Sequence, residues 1–448
     1  MGMTILAILS GSMLCGAADS GWMAGVARAD ITPEEPMWLA GYASRGHEAE
    51  GTLHPLWVKA LALQDAAGNK AVLVTSDILG FPKSMSDRIR DQLKARLGLE
   101  RAQIVLNSSH THSGPVLDES LLCIYPLDAQ GLDKVKRYSS RLEAQVVAAV
   151  EEAFNAMQPA QLASGNSVAR FAVNRRNNKE AEILETHDFD GPVDHAVPVL
   201  RVTRPDGAAL ALVFGYACHC TVLDQYQWCG DYAGFAQIAV EQTHPGCTAL
   251  FFAGCGADQN PLPRRSVALA EKYGKDLAAA VACALSGPMQ TLDPVLRTAY
   301  TEVELPLCPP PTREQLAAYA RDADSYHKKA AEELIAQLDA GKPLRTTYPY
   351  PVQCWRLGNK NIVVLGGEIV VDYAILAKKL LGHDTFVMGY SNDMMSYIPS
   401  VRVLKEGGYE GETAQILYGM PAKWQDDIEQ RILDALKELA AGLGALVP

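Results

Sequence analysis

Several segments of this chain are apolar at almost every position, and they alternate with segments whose apolar residues recur every three to four places. The first kind includes Trp57–Gln64, Ala71–Ser76, Leu210–Tyr216, Thr248–Ala253 and Asn361–Leu365. A strand with one wet face alternates apolar and polar side chains, so a strand apolar throughout is covered on both faces. The second kind reads as amphipathic helix. Ile89, Leu93 and Leu97 share a stripe within Ser84–Leu97, and Leu142, Val146, Val150 and Phe154 do so within Tyr138–Met157. Further helices are expected at Ser266–Leu285 and at Lys423–Ala441, where Ile428, Ile432, Leu436 and Leu439 align. Trp22–Thr32, Ile104–Leu106, Val199–Val202 and Thr385–Met388 complete the expected strands. The alternation predicts an α/β layered fold, a largely buried mixed β-sheet flanked by helices. After Pro309–Pro311, the charged, Ala-rich stretch Arg313–Ala340 predicts an inserted helical element, an excursion near residues 309–342. There is no internal repeat and no Gly/Ser/Pro-rich linker, so residues 22–448 are expected to form a single domain.

The net charge of −12, with no dense Lys/Arg block, argues against a nucleic-acid partner, because an acidic surface repels phosphate. Residues 4–17 form an apolar run too short to span a bilayer, ending in small residues near Ala17–Ala18. We read residues 1–18 as a signal peptide without its usual positive start, and expect a periplasmic or secreted protein. No later segment looks transmembrane, so no integral membrane anchor is expected. Of ten cysteines, Cys218, Cys220, Cys229, Cys247 and Cys255 crowd together. They read as small buried residues, with disulfides or a soft metal site as alternatives.

Four strand-end loops carry chemistry. Ile104–Pro115 (IVLNSSHTHSGP) delivers His110 and His112 into a polar loop. In extended backbone, residues two apart point the same way, placing two imidazoles beside one point, as a metal or acid–base site requires. The apolar run of Val213–Val222 leads straight into His219. Ile362–Glu368 ends in two glycines and a carboxylate, the glycines allowing close backbone approach. Gly389–Ile398 brings Tyr397 after a polar loop. Each has a plain structural explanation when taken alone.

Together, the ordered motifs AGVARADITP, GYASR, EGTLHPLWVKALAL, VTSDILG, SSHTHSGP, AVNRR, YACHCTVL, GCGADQNP, LGGE and SNDMMSYIP…GGYEG…YG resemble the catalytic domain of the neutral/alkaline (non-lysosomal) ceramidases. The resemblance implies a zinc ion held by His110, His219, Glu368 and Tyr397, with a position left open for water. It implies His112 as general acid/base, and Tyr409 and Arg175 as partners of a substrate carbonyl and its developing oxyanion. Arg45 and His54 fall in matching segments, where a structural role is at least as well supported.

Two departures bear on substrate. The family's Gly-Asp-Val-Ser-Pro loop corresponds here to Gly256–Pro261, with Asn260 in place of the serine. An amide orients substrate or donates to an oxyanion but is no nucleophile. The chain also reads as lacking the family's C-terminal immunoglobulin-like domain. The leading expectation is therefore a zinc-dependent hydrolase acting on an amide or ester carbonyl of a small N-acyl substrate, a lipid or polar analogue. Alternatives are the same zinc site acting on a glycoside or other sugar derivative, and a non-catalytic secreted metal-containing binding protein. An amidohydrolase-type barrel also uses His-x-His, but the regular eightfold βα spacing it needs is missing.

Overall fold

The computed structural model describes residues 21–445; the expected signal peptide lies outside them. Eight strands follow one another in the main sheet: β1 (Trp22–Asp30), β2 (Trp57–Gln64), β3 (Lys70–Ser76), β4 (Ile104–Ser108), β5 (Gln158–Val168), β6 (Ala196–Thr203), β7 (Ala209–Tyr216) and β8 (Thr248–Ala253). Their order in space is β8-β7-β6-β5-β1-β2-β3-β4, and a short strand, β9 (Gln290–Leu292), pairs with β5. The two edge pairs, β7–β8 and β3–β4, are parallel and every other pair on the path is antiparallel. The β2–β3 turn is closed by Asp65, whose carboxylate accepts from the backbone of Ala67 and Asn69, with Gly68 at φ 87°.

A second sheet holds β10 (Leu296–Pro306), β11 (Thr347–Leu357), β12 (Lys360–Leu365) and β13 (Phe386–Met388), in that order. Side-chain alternation explains why the strands are apolar throughout. Leu61, Leu63, Leu73, Val105 and Phe252 face the second sheet's Trp355, Ile362, Val364 and Phe386 in one shared core. The intervening Ala60, Ala62, Val72 and Leu106 face helices α1 (Lys83–Leu97) and α2 (Ala129–Asn155). Phe214 and Phe251 pack on α3 (Asp231–Thr243) and α4 (Val267–Ser286). On the far side, Val363 and Leu365 pack against α7 (Asp372–Leu381) and α9 (Ile428–Gly442). The mixed sheet is thus buried as expected, and one face is covered by a second sheet. Each such buried side chain contributes roughly 1.5–3 kcal/mol, and Phe252→Ala would cost about 3–5 kcal/mol.

The Ala-rich stretch forms two helices packed together, α5 (Arg313–Asp322) and α6 (Ser325–Asp339), and a short α8 spans Val401–Glu406. Helix α2 begins well before Tyr138, because Asp128 caps it by accepting from Gly131 N. No described helix is long and apolar enough to cross a membrane.

The two edges of the main sheet meet at the site. Asn107, on β4, accepts at Oδ1 from Ala253 N of β8 (3.1 Å), and just beyond the strand ends Thr111 pairs in parallel with Cys220.

Candidate metal centre

The Thr111–Cys220 bridge sets His110 and His219 at equivalent positions of two neighbouring segments. A second ladder does the same for the other pair. Glu368–Ile369 runs parallel to Tyr397–Ile398, with Glu368 opposite Tyr397. Two short pairings thus carry the four residues expected to hold the metal. Gly367, at φ 69°, precedes Glu368; a Cβ there would lie 2.7 Å from Ser396 O, so the close approach requires glycine.

The four side chains converge. Glu368 Oε2 lies 3.3 Å from His110 Nε2 and 3.2 Å from His219 Nε2, all three residues being buried. The far nitrogen of each ring is pinned: His110 Nδ1 donates to Leu79 O (2.7 Å) and His219 Nδ1 to Gly256 O (2.8 Å). A carbonyl only accepts, so Nδ1 carries the proton and Nε2 offers its lone pair. Tyr418 Oη donates to Glu368 Oε1 and orients the carboxylate. Arg175 Nη2 donates to Tyr397 Oη (3.2 Å), and its Nε is held by Glu410 (2.7 Å).

Three acceptors meeting at one point repel each other unless a positive charge sits among them. Burial, then the Arg175 charge, pulls the His219 imidazole down to about 4, which disfavours a proton as that charge. The donor chemistry therefore fits a divalent cation. Burial, then the Glu368 charge, pushes the Tyr397 phenol well above its ordinary value; a bound dication reverses that balance. His110, His112 and His219 also form a group whose ring nitrogens lie within 4.8 Å of one another.

His112 reaches the centre by a different backbone route from the one expected. His110 sits at φ 58°, in the left-handed region, so extended alternation does not bring the rings together. A tight turn does, and it leaves His112 Nε2 3.2 Å from His110 Nε2. Strain at such a residue costs roughly 1–3 kcal/mol and is concentrated at functional sites. Tyr390, at φ 48°, packs beside His110 with ring centroids 4.4 Å apart and the rings tilted by 32°. Burial, then the neighbouring imidazoles, pushes the His112 pKa well below its ordinary value.

The remaining expected residues fall in two groups. Tyr409 stands at the rim, 46% exposed, its ring 5.3 Å from that of Tyr397. Asn260 is buried on a short strand opposite Val173 and lines a cavity of about 480 Å³ together with Arg175 and Tyr409. Arg45 and His54 lie outside the centre. Arg45 Nη1 donates to the backbone oxygens of His112 and Ala40 (both 2.7 Å), which makes it a loop support. His54 packs on Phe235, its Nδ1 3.2 Å from Pro55 O. The nine described cysteines are all free, most of them buried, so the crowded group forms neither disulfides nor part of this centre. Reading the sequence missed Tyr418, Glu410 and Tyr390; the first two lie in the GGYEG…YG motif, where only Tyr409 was given a role.

Residues 22–280 match the family profile described as neutral/alkaline non-lysosomal ceramidase, N-terminal. The chain belongs to this ceramidase family. It is 26% identical over 244 residues to neutral ceramidase A of Dictyostelium discoideum, covering 52% of this chain and 33% of that protein. Against the neutral ceramidase of Drosophila melanogaster it is 25% identical over 265 residues, covering 54% and 35%. These matches thus span about a third of the curated relatives' length. The crystal structure of neutral ceramidase from Pseudomonas aeruginosa shares the fold, with a TM-score of 0.74 at 19% identity, covering 96% of this chain and 77% of that one. His110, His112, Arg175, His219 and Asn260 fall within the matched residues 22–280, whereas Glu368, Tyr397 and Tyr409 lie beyond them.

Proposed function

We propose that this chain is a zinc-dependent hydrolase that cleaves an amide or ester of a small N-acyl substrate. The observation that carries the reading is the convergence of two pinned imidazoles on one buried carboxylate oxygen. His110, His219, Glu368 and Tyr397 would hold the ion. Zinc, when bound, would supply Lewis acidity and acidify water at the site.

The chain's own side chains account for the rest. His112 lies beside His110 and is neutral near pH 7, so its ring takes a proton from water and returns it to the leaving nitrogen or oxygen. Arg175 keeps Nη1 free of any hydrogen bond to a described residue, because Nε and Nη2 are engaged by Glu410 and Tyr397. Nη1 and the rim hydroxyl of Tyr409 would donate to a carbonyl oxygen as it gains charge. Asn260 orients the substrate from the cavity wall.

The test is metal analysis of the purified protein, followed by a panel of N-acyl amides, esters and glycosides with and without a chelator. Chelator-sensitive cleavage of an amide or ester is the expected result. A protein that neither contains nor takes up a divalent metal would overturn the reading. Chelator-sensitive cleavage of glycosides alone would keep the centre and replace the bond.

A further inference from the structure

The cavity beside the centre mixes Leu262 and two glycines with amide and charged side chains, and its charges are of a particular kind. Five charged side chains line it: Arg175, Arg176, Glu180, Glu406 and Glu410. All five are already paired. Glu410 accepts from Arg175 Nε (2.7 Å) and Arg176 Nη1 (2.5 Å), and Glu406 accepts from Arg176 Nε (3.1 Å). Glu180 is bound by Arg264 and Arg265 from outside the cavity. The wall therefore offers hydrogen-bonding atoms but no uncompensated charge. An anionic ligand would meet three carboxylates whose arginines are already engaged, and a cationic one would have to displace those arginines.

Asn260 supplies the second observation. It is 5% exposed, and its Oδ1 has no hydrogen-bond partner among the described residues. An unpaired buried amide costs about 1–3 kcal/mol, which a hydrogen-bonding ligand would recover. The exposed ring of Tyr409 adds an amphipathic surface on the rim.

An alkyl chain fits this wall badly. Laying it there would strip water from paired ions and a buried amide without replacing a single hydrogen bond. A larger cavity of about 650 Å³, with Pro310, Leu316, Ile416 and Met420 in its wall, is more apolar, but none of the centre's residues line it. A third, of about 330 Å³, touches the centre only through Tyr418, whose hydroxyl is committed to Glu368.

We propose that the group recognised beside the reacting bond is neutral and hydroxyl-rich, so that the substrate is an N-acylated amino sugar rather than an amide with two long alkyl chains. This rests on the hydrolase reading above. In the reaction the amide C–N bond breaks and a C–O bond to water forms, giving a carboxylic acid and the free amino sugar, with the water's protons ending on the two products.

The experiment compares a methyl glycoside of an N-acetylated hexosamine, a short-chain ceramide in detergent, and N-acetyl hexylamine as substrates of the zinc-loaded full-length chain. The amino sugar should have a kcat/KM at least about tenfold above the other two, one hydrogen bond's worth of discrimination. Asn260→Leu should remove that preference through KM, and Asn260→Ser, a smaller hydroxyl-bearing replacement, should retain part of it. Faster cleavage of ceramide or of the alkylamide would overturn the proposal. If no amide is cleaved, the hydrolase reading fails by itself. Saturation-transfer NMR of the amino sugar with the chelated protein then decides: binding lost in Asn260→Leu supports the recognition, and no binding overturns it.

Discussion

His110 and His112 face each other, Nε2 to Nε2, across 3.2 Å. His110 Nδ1 donates to Leu79 O, whereas His112 Nδ1 has no partner among the described residues. The two rings are therefore inequivalent in chemistry as well as in position.

Metal content and turnover should separate accordingly. His112→Ala is expected to retain near-stoichiometric metal while activity falls by about 10²–10⁴, the usual worth of a general acid–base group. His110→Ala is expected to lose the metal as well. Elemental analysis of both variants beside the wild type checks this. Metal lost equally from both would make His112 a ligand.

The Tyr418 hydroxyl acts on the centre through Glu368, while its ring packs edge-on against Tyr397. Removing its hydroxyl in Tyr418→Phe keeps the ring and frees the carboxylate to rotate. Metal affinity should drop by roughly 10–100-fold, the usual cost of losing a group that orients a ligand. Competition with a chromophoric chelator measures it, and an unchanged affinity would leave Tyr418 a packing residue.

Gly41 lies against His112, the proposed acid–base group. At φ 88°, a Cβ on it would sit 2.4 Å from His112 Cγ and Nδ1. Gly41→Ala should destabilise the fold by about 1–3 kcal/mol in urea denaturation, since the left-handed backbone and the clash add. Turnover should fall further than the folded fraction, because the displaced ring is the one proposed to move protons. Parallel losses would mean that His112 tolerates the shift.

Asp393 gives the fold a pH dependence away from the centre. Burial, opposed by the hydrogen bond from Tyr348, pushes its carboxyl up to about 7, against an ordinary value of 3.8. Between those values the folded state holds a proton that the unfolded chain releases, so stability falls as pH rises from about 4 to about 7. Asp393→Asn lacks this proton. Wild type minus variant unfolding free energy should therefore be lower at pH 8 than at pH 5, by on the order of 2 kcal/mol. A constant difference would refute the raised carboxyl.

Much of the layered core was legible, because strands buried on both faces leave near-continuous apolar runs. Strands whose apolar run is interrupted were not. Leu296–Pro306 exposes Arg297, Glu302 and Glu304, Thr347–Leu357 is mostly buried but carries Pro349 and Pro351, and the long Gln158–Val168 is broken by Gln158, Gln161, Ser164, Asn166 and Ser167. His110, His219, Glu368 and Tyr397 were reachable through the order of their motifs, and their meeting is a tertiary fact. The turn at His110 was not reachable, since nothing in SSHTHSGP marks that histidine as left-handed. Nor was Tyr418, fifty positions from Glu368, whose contact only the fold makes.

The two short ladders make the centre strict about local spacing and indifferent to distant length. Within the ladder Glu368 stands opposite Tyr397, so shifting either strand by one residue would turn a donor group toward the opposite side. Loops joining the ladders from outside are under no such constraint. Relatives of this chain can therefore lengthen or trade whole loops around the cavity, acquiring new substrates, while the four donor side chains stay in register.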